Sequence, residues 1–224
     1  MSKQFGVVIL AAGASARYGR PKQLLPYLGR TLVEHAVRTA IASGAKEVIV
    51  VAGAEASVIR ERLQGLPVRV VTNKDWSSGL STSIRRGVSA LSPEVDSVVI
   101  ALCDQPKITP DLLRRLAYQQ FESDVPIVAS TYDGIIGAPA AFCRGLFSSL
   151  LALEGNFGAR DLIRQSGIAF ESIVFDGGNV DVDIPTDFRR LIPTATAPLP
   201  RDIVREPQDA RAPPQLLLSA SSPA

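Results

Sequence analysis

Cysteine and histidine are almost missing from this chain, with two of the first and one of the second in 224 residues. Cys103 and Cys143 are too few for a disulfide framework. Neither belongs to a Cys-x-x-Cys or Cys/His cluster, so nothing suggests a zinc site, and both read as reduced, small apolar residues. A lone histidine disfavours nucleophilic triads, and His35 shares one face of a helical stretch with Leu32, Ala36 and Thr39, where packing is its expected role. Long apolar runs are absent as well. None approaches the ~18 residues of a membrane span, and runs such as 48–52 and 98–102 have the length of buried strands. The net charge is +2 with both signs interspersed, which lacks the electrostatic footprint of a nucleic-acid binder but suits a small anionic ligand held by a few cations. Met1-Ser2-Lys3-Gln4 passes straight into a strand-like run without the basic region, apolar core and cleavage site of a secretory signal, so a cytoplasmic protein is expected.

What is present is an alternation. Short β-branched runs at 5–10, 47–51, 68–71, 97–102 and 126–129 are interleaved with amphipathic stretches near 22–43, 56–64, 81–91 and 110–121. That is the pattern of βαβ units, and it predicts a single three-layer, Rossmann-like α/β domain with a mostly parallel sheet over residues 1–192. Pro21 and Pro110 suit first helical turns, Thr109 an N-cap and Gly44 a helix stop. Gly134, Gly137 and Pro139 predict a hairpin. Helices near 146–153 and 159–165, strands at 170–175 and 180–182, and a last helix opened by Pro185 follow. From Pro193 the composition shifts to a proline-crowded segment without aromatics whose charges cancel, so 193–224 is expected to be a disordered tail.

The most informative stretch leaves the first strand as Leu10-Ala11-Ala12-Gly13-Ala14-Ser15-Ala16-Arg17-Tyr18-Gly19-Arg20-Pro21-Lys22. Small residues let a polyphosphate approach backbone N–H groups at a strand-to-helix turn, and Arg17 and Lys22 add charge-assisted contacts. A Walker A loop is excluded because Gly13 and Gly19 are one residue too far apart and Arg20 follows; the Gly-x-Gly-x-x-Gly dinucleotide fingerprint is missing too. A turn built for packing alone would not call for Arg17 and Lys22.

Leu10-Ala11-Ala12-Gly13-x-Ser15-x-Arg17-x-Gly19-x-x-Lys22-x-Leu24-Leu25-Pro26 resembles the signature loop of nucleotidyltransferases with a GT-A-type fold, and within them molybdenum cofactor cytidylyltransferases. The resemblance runs to Leu191. It is supported by Asn73-x-x-Trp76-x-x-Gly79-Leu80-Ser81-Thr82-Ser83-Ile84-x-x-Gly87, Asp104-Gln105-Pro106, Gly137-x-Pro139-x-x-Phe142 and Gly155-Asn156-x-Gly158-Ala159-Arg160 in order. Ala12 and Gln105 lean toward CTP, since guanylyl-transferring relatives usually carry Gly and Met there. Tyr18, Leu80, Asn156 and Ile184 depart from the family pattern, Asn156 near the presumed acceptor side.

The resemblance implies that Leu10, Ala11, Ala12, Gly13, Ser15, Arg17, Lys22 and Ser83 bind the nucleotide. It further implies that Asp104 and Asp183 hold Mg²⁺, and that CMP passes from CTP to the phosphate of molybdopterin for delivery to a molybdoenzyme. Asp104 follows a buried strand-like run and so emerges at a strand's carboxyl end, where open α/β sheets bind ligands. One or two carboxylates suit Mg²⁺. Asp before Pro is also an ordinary turn signal, as it is for Asp183 near Pro185, and Ser83 would equally serve as a helix cap. An acceptor phosphate is already anionic, so catalysis would rest on Lys22, Arg17 and Asp104 positioning and neutralising phosphates, without a general base. Another acceptor, GTP in place of CTP, or a non-catalytic nucleotide-binding delivery protein are the competing readings.

Overall fold

The computed structural model describes residues 2–15, 18–123, 125–165 and 167–178. Arg17, Asp183, the strand expected at 180–182, the helix expected after Pro185 and the segment 193–224 lie outside the described residues.

Strand β1 (Phe5–Ala11) is buried along its whole length. Its neighbours are β4 (Glu47–Ala52), beyond which lies β5 (Arg69–Thr72), and on the other side β6 (Ser97–Leu102). All four run parallel. The sheet continues through β8 (Ile135–Cys143), antiparallel to both its neighbours, to β7 (Ile127–Tyr132) and β9 (Phe170–Val174), which pair in parallel. The order among the described residues is therefore β5-β4-β1-β6-β8-β7-β9.

Alternation along β1 assigns its side chains to two layers. Val7 and Ile9 join a cluster with Val33 and Val37 of α1 (Leu32–Ala42), Ile59 of α2 (Ala56–Arg62), and Leu113 and Leu116 of α4 (Pro110–Ser123). Val8 and Leu10 join Ile84 and Val88 of α3 (Leu80–Val88), Leu150 of α5 (Phe147–Leu151) and Ile163 of α6 (Ala159–Gln165). Each fully buried aliphatic contributes about 1.5–3 kcal/mol, so sheet and both helical layers are held by the same strand. Gly87 lets α3 lie close on the sheet: a Cβ there would collide with Val8 and stand 3.0 Å from Val51.

The stretch 22–43 is not one helix as its pattern predicts. It opens with a 3-10 turn (Lys22–Leu24), passes through a small antiparallel ribbon of β2 (Pro26–Tyr27) and β3 (Arg30–Thr31), and only then becomes α1. The reason is local. Pro26 cannot donate a helical hydrogen bond, and Leu28 and Gly29 turn the chain with φ of 48° and 77°. Thr31 then restarts a helix with a capping box. Its hydroxyl accepts from the Glu34 N–H at 3.3 Å while Glu34 Oε2 accepts from the Thr31 N–H at 2.8 Å. Elsewhere Thr109 caps α4 as expected, accepting from the Leu112 N–H at 3.2 Å. The expected hairpin turns at Asp133 and Gly134, both at positive φ. No helix among the described residues is long and apolar enough to cross a membrane.

Candidate active site

The chain leaves β1 for β4 on one side and returns to β6 on the other. The carboxyl ends of β4, β1 and β6 therefore border the crevice where a doubly wound sheet binds ligands. The residues that follow those strands are Gly53, Ala12 and Cys103-Asp104.

Leu10, Ala11 and Ala12 are buried at the end of β1, whereas Gly13 is exposed. Three successive carbonyls of this turn are engaged. Gln23, 2% exposed, donates through Nε2 to Ala11 O at 3.2 Å and to Gly13 O at 2.5 Å, and Ala12 O accepts from the Ala54 N–H at 3.1 Å. In a trans peptide C=O and N–H point in opposite directions, so these bonds turn the Ala12, Gly13 and Ala14 N–H groups away from their carbonyls' partners. Ser15 closes the loop from a left-handed backbone, φ 56°. Its hydroxyl accepts from the Lys22 N–H at 3.0 Å and lies 3.3 Å from Gln23 Oε1, to which it donates. Gln23 is thus the loop's internal brace. Sequence reading passed over it as an unspecified position; the available signal was a lone amide between Lys22 and the apolar pair Leu24-Leu25.

Two of the expected catalytic side chains meet. Lys22 Nζ forms an ion pair with Asp104 Oδ2, the two side chains being 18% and 15% exposed. The lysine arrives from the 3-10 turn after the loop and the carboxylate from the end of β6. Cys103, beside Asp104, points into the core among Val99, Ala101 and Ile108, as alternation predicts. Burial, reinforced by the Asp104 charge, pushes its thiol well above the ordinary range. It is therefore a neutral thiol packed in the core. No cluster of three or more His, Cys, Asp or Glu side chains occurs among the described residues. A hard cation that takes one or two carboxylates and completes its shell with phosphate and water oxygens fits Asp104; a soft metal does not.

The segment before α3 forms a second wall. Asn73, 3% exposed, follows β5 and donates its N–H to Ala52 O, the last residue of β4, at 2.8 Å. Its side-chain amide donates to Thr82 Oγ1 at 2.8 Å and Ser83 Oγ at 3.0 Å. Trp76 is half-buried against the α3-side core and against Gly53, where a Cβ would stand 2.8 Å from the Trp76 side chain, so it anchors the loop. Gly79, at φ 118°, faces Gly155 so closely that no side chain fits. Ser81 donates both N–H (3.2 Å) and Oγ (2.8 Å) to Gly155 O. This clasp draws the exposed segment Gly155-Asn156-Phe157 to the start of α3, uniting two motifs that stand far apart in sequence. Arg86 lies outside, bonding Thr72 O at 3.2 Å.

His35 works from behind. Its Nε2 lies 3.0 Å from Pro106 O, which accepts only, so Nε2 carries the proton. Its ring meets Tyr27 edge-on at 4.9 Å. Burial lowers its pKa against the opposing pull of that hydrogen bond, with Arg30 adding to the decrease. The histidine therefore packs, as its helical face predicts, and braces the turn that follows Asp104. Gln105 is 3% exposed beside the same helix, with Nε2 3.5 Å from Gly178 O and Oε1 lacking a partner among the described residues.

Residues 7–169 match the family of MobA-like NTP transferase domains. The chain is 38% identical over 165 residues to nicotine blue oxidoreductase of Paenarthrobacter nicotinovorans, covering 70% of this chain and 80% of the relative. It is 30% identical over 194 residues to purine catabolism protein PucB of Bacillus subtilis, covering 81% and 92%. Molybdenum cofactor cytidylyltransferase of Escherichia coli is 24% identical over 184 residues, covering 81% and 92%. Among solved structures, Rv0371c of Mycobacterium tuberculosis in complex with manganese has a TM-score of 0.72 at 30% identity, over 84% of this chain and 98% of that one.

Proposed function

Since this chain belongs to the family of MobA-like NTP transferase domains and is by that membership a nucleotidyltransferase, we propose that it transfers CMP from CTP to the phosphate of molybdenum-bound molybdopterin, releasing pyrophosphate. The observation that carries the reading is the Lys22–Asp104 ion pair beside the braced loop. A cation suited to phosphate oxygens and a carboxylate suited to a hard metal stand together and neutralise each other.

The N–H side of the Ala12–Ala14 loop receives phosphate oxygens, and Lys22 moves from Asp104 to the β- and γ-phosphates, a task the resemblance also gives to Arg17. Asp104 and Asp183 would hold Mg²⁺, which would supply charge neutralisation at the phosphates. An acceptor phosphate oxygen attacks the α-phosphorus. The bond to the bridging oxygen breaks and its electron pair leaves with pyrophosphate, where Lys22 stabilises the developing charge. No proton must be removed from an acceptor that is already anionic, which fits a site whose only histidine faces Pro106. The resemblance assigns Ala12 and Ser83 to the base, with the Ala12 methyl restricting φ and the space beside the loop. A cytoplasmic location and delivery of the product to a molybdoenzyme complete the reading.

The test is pyrophosphate release by the full chain with Mg²⁺, molybdenum-loaded pterin and either CTP or GTP, scoring the dinucleotide formed. CTP-dependent release supports the proposal. Redox turnover without pyrophosphate, the activity named for the 38%-identical relative, would overturn it.

A further inference from the structure

Asn73 and its hydroxyl partners form a network whose proton directions can be worked out from heavy atoms. Asn73 Oδ1 lies 3.0 Å from the backbone N–H of Asp75. A peptide N–H only donates, so the amide oxygen must be at that end and the NH₂ group at the other; the usual oxygen–nitrogen ambiguity of asparagine is removed. Both NH₂ hydrogens are then spent, one on Thr82 Oγ1 at 2.8 Å and one on Ser83 Oγ at 3.0 Å. Thr82 has carbonyls for its own proton, Gly79 O at 2.8 Å and Asp75 O at 3.0 Å. Ser83 differs: among the described residues its oxygen accepts from Asn73, and its proton has no acceptor.

We propose that Asn73 is a positioning residue that fixes Ser83 as a hydrogen-bond donor, and that the site thereby selects a pyrimidine presenting an acceptor at ring position 3 over one presenting N–H there. This rests on the assignment of Ser83 to the nucleotide base given above. Cytosine and uracil have the same ring, but N3 is a lone-pair acceptor in the first and carries hydrogen in the second. Ser83 is 4% exposed, so water does little to satisfy a mismatched group, and an unpaired donor facing N–H costs about 1–3 kcal/mol. A hydroxyl alone could rotate and serve either base. Asn73 occupies one lone pair and cannot take the proton, so the remaining lone pair could meet an N–H only by leaving the hydroxyl's own buried proton unpaired, whereas an acceptor at position 3 pairs it.

Asn73→Asp inverts the relay while keeping the side-chain shape. A carboxylate accepts from both hydroxyls, so Ser83 turns its proton inward and offers a lone pair to the ligand. The measurement is the ratio of dissociation constants for CTP and UTP, by calorimetry on the full chain with Mg²⁺, alongside thermal melting to establish that each variant is folded. The wild-type protein is expected to prefer CTP, and Asn73→Asp to reduce that preference at least about tenfold, the size of one mismatched hydrogen bond. Ser83→Ala should lower the ratio to a similar extent, and Asn73→Asp added to Ser83→Ala should change it no further. If Asn73→Asp does not fold, Asn73→Ala, which frees the hydroxyl to rotate, should still lower the ratio. A folded Asn73 variant that retains the wild-type ratio, or a wild-type protein that binds both nucleotides equally, overturns the relay and leaves the transferase reading standing. A wild-type protein that binds neither overturns the nucleotide assignment itself.

Discussion

The two halves of the sheet are built differently. From β5 to β6 every strand runs parallel, β1 is buried throughout, and the turn that leaves it has its Ala11, Ala12 and Gly13 carbonyls individually engaged. From β8 to β9 the direction reverses, the β7–β8 register shifts at Ala129/Ser130, and Phe170 and Val174 on β9 are 39% and 70% exposed. The segment 155–157, exposed like them, is tied to α3 through one carbonyl, Gly155 O. On the proposed reading, a half that presents N–H groups to a triphosphate gains from pre-organisation. The segment 155–157, which the resemblance places near the acceptor, has fewer such ties than the loop after β1.

Asp104→Asn should break the first half most severely. It keeps the shape and removes the charge proposed to bind the metal, so turnover measured by pyrophosphate release is expected to fall by at least about 10²–10³-fold with an unchanged circular dichroism spectrum. Full activity would remove Asp104 from the site. Lys22→Ala belongs to the same test and should lower kcat/KM for CTP without unfolding the chain.

Gln23→Ala strips the loop of its brace. Two inward carbonyls lose their donor, which should cost about 1–3 kcal/mol in urea unfolding and weaken CTP binding. An equally large loss of affinity for the pterin acceptor measured alone would show that the halves are not separately organised.

Ala12→Gly probes the base side more gently. Removing one methyl frees φ and enlarges the space beside the loop, so a wild-type preference for CTP over GTP of at least about tenfold, or ~1.4 kcal/mol, should narrow in competition assays. An unaltered ratio would place discrimination elsewhere.

His35 offers a test through pH. Its folded pKa is lowered by burial, below an unfolded value near 6.5. Above about pH 6.5 both states are neutral and nothing is lost. As pH falls through that value the unfolded chain takes up a proton that the folded chain resists, so stability declines until the folded pKa is passed. His35→Gln, which keeps a donor for Pro106 O, should flatten this part of the stability profile between pH 5 and 7 in urea melts. An identical slope would assign the dependence to other groups. The smallest effect is expected from truncation after Ile192: thermal stability and CTP turnover should hardly change if the proline-crowded composition of 193–224 acts as expected and buries too little apolar surface to offset ordering.

Much of this was legible in the amino-acid order because it depends on local rules. β-branched runs at strand spacing, the capping threonine of α4, the turn at Asp133-Gly134 and the small residues after β1 each determine their own geometry, and together they led to the α/β fold and to the loop. The unbroken helix expected over 22–43 failed where a local rule was available but outweighed by apolar periodicity: Pro26, the Leu28-Gly29 turn and the Thr31–Glu34 box all mark a restart. What tertiary structure alone decided are the encounters between distant segments. Lys22 and Asp104 are 82 positions apart and Ser81 and Gly155 are 74 apart, and neither pairing leaves a periodicity to read. Gln23 and Gln105 carry the same amide, yet one braces the loop and the other lies beside α1, because burial and partner are set by the packed layers around them. A side chain's type determines which bonds it can make; only the fold determines which atoms stand within reach.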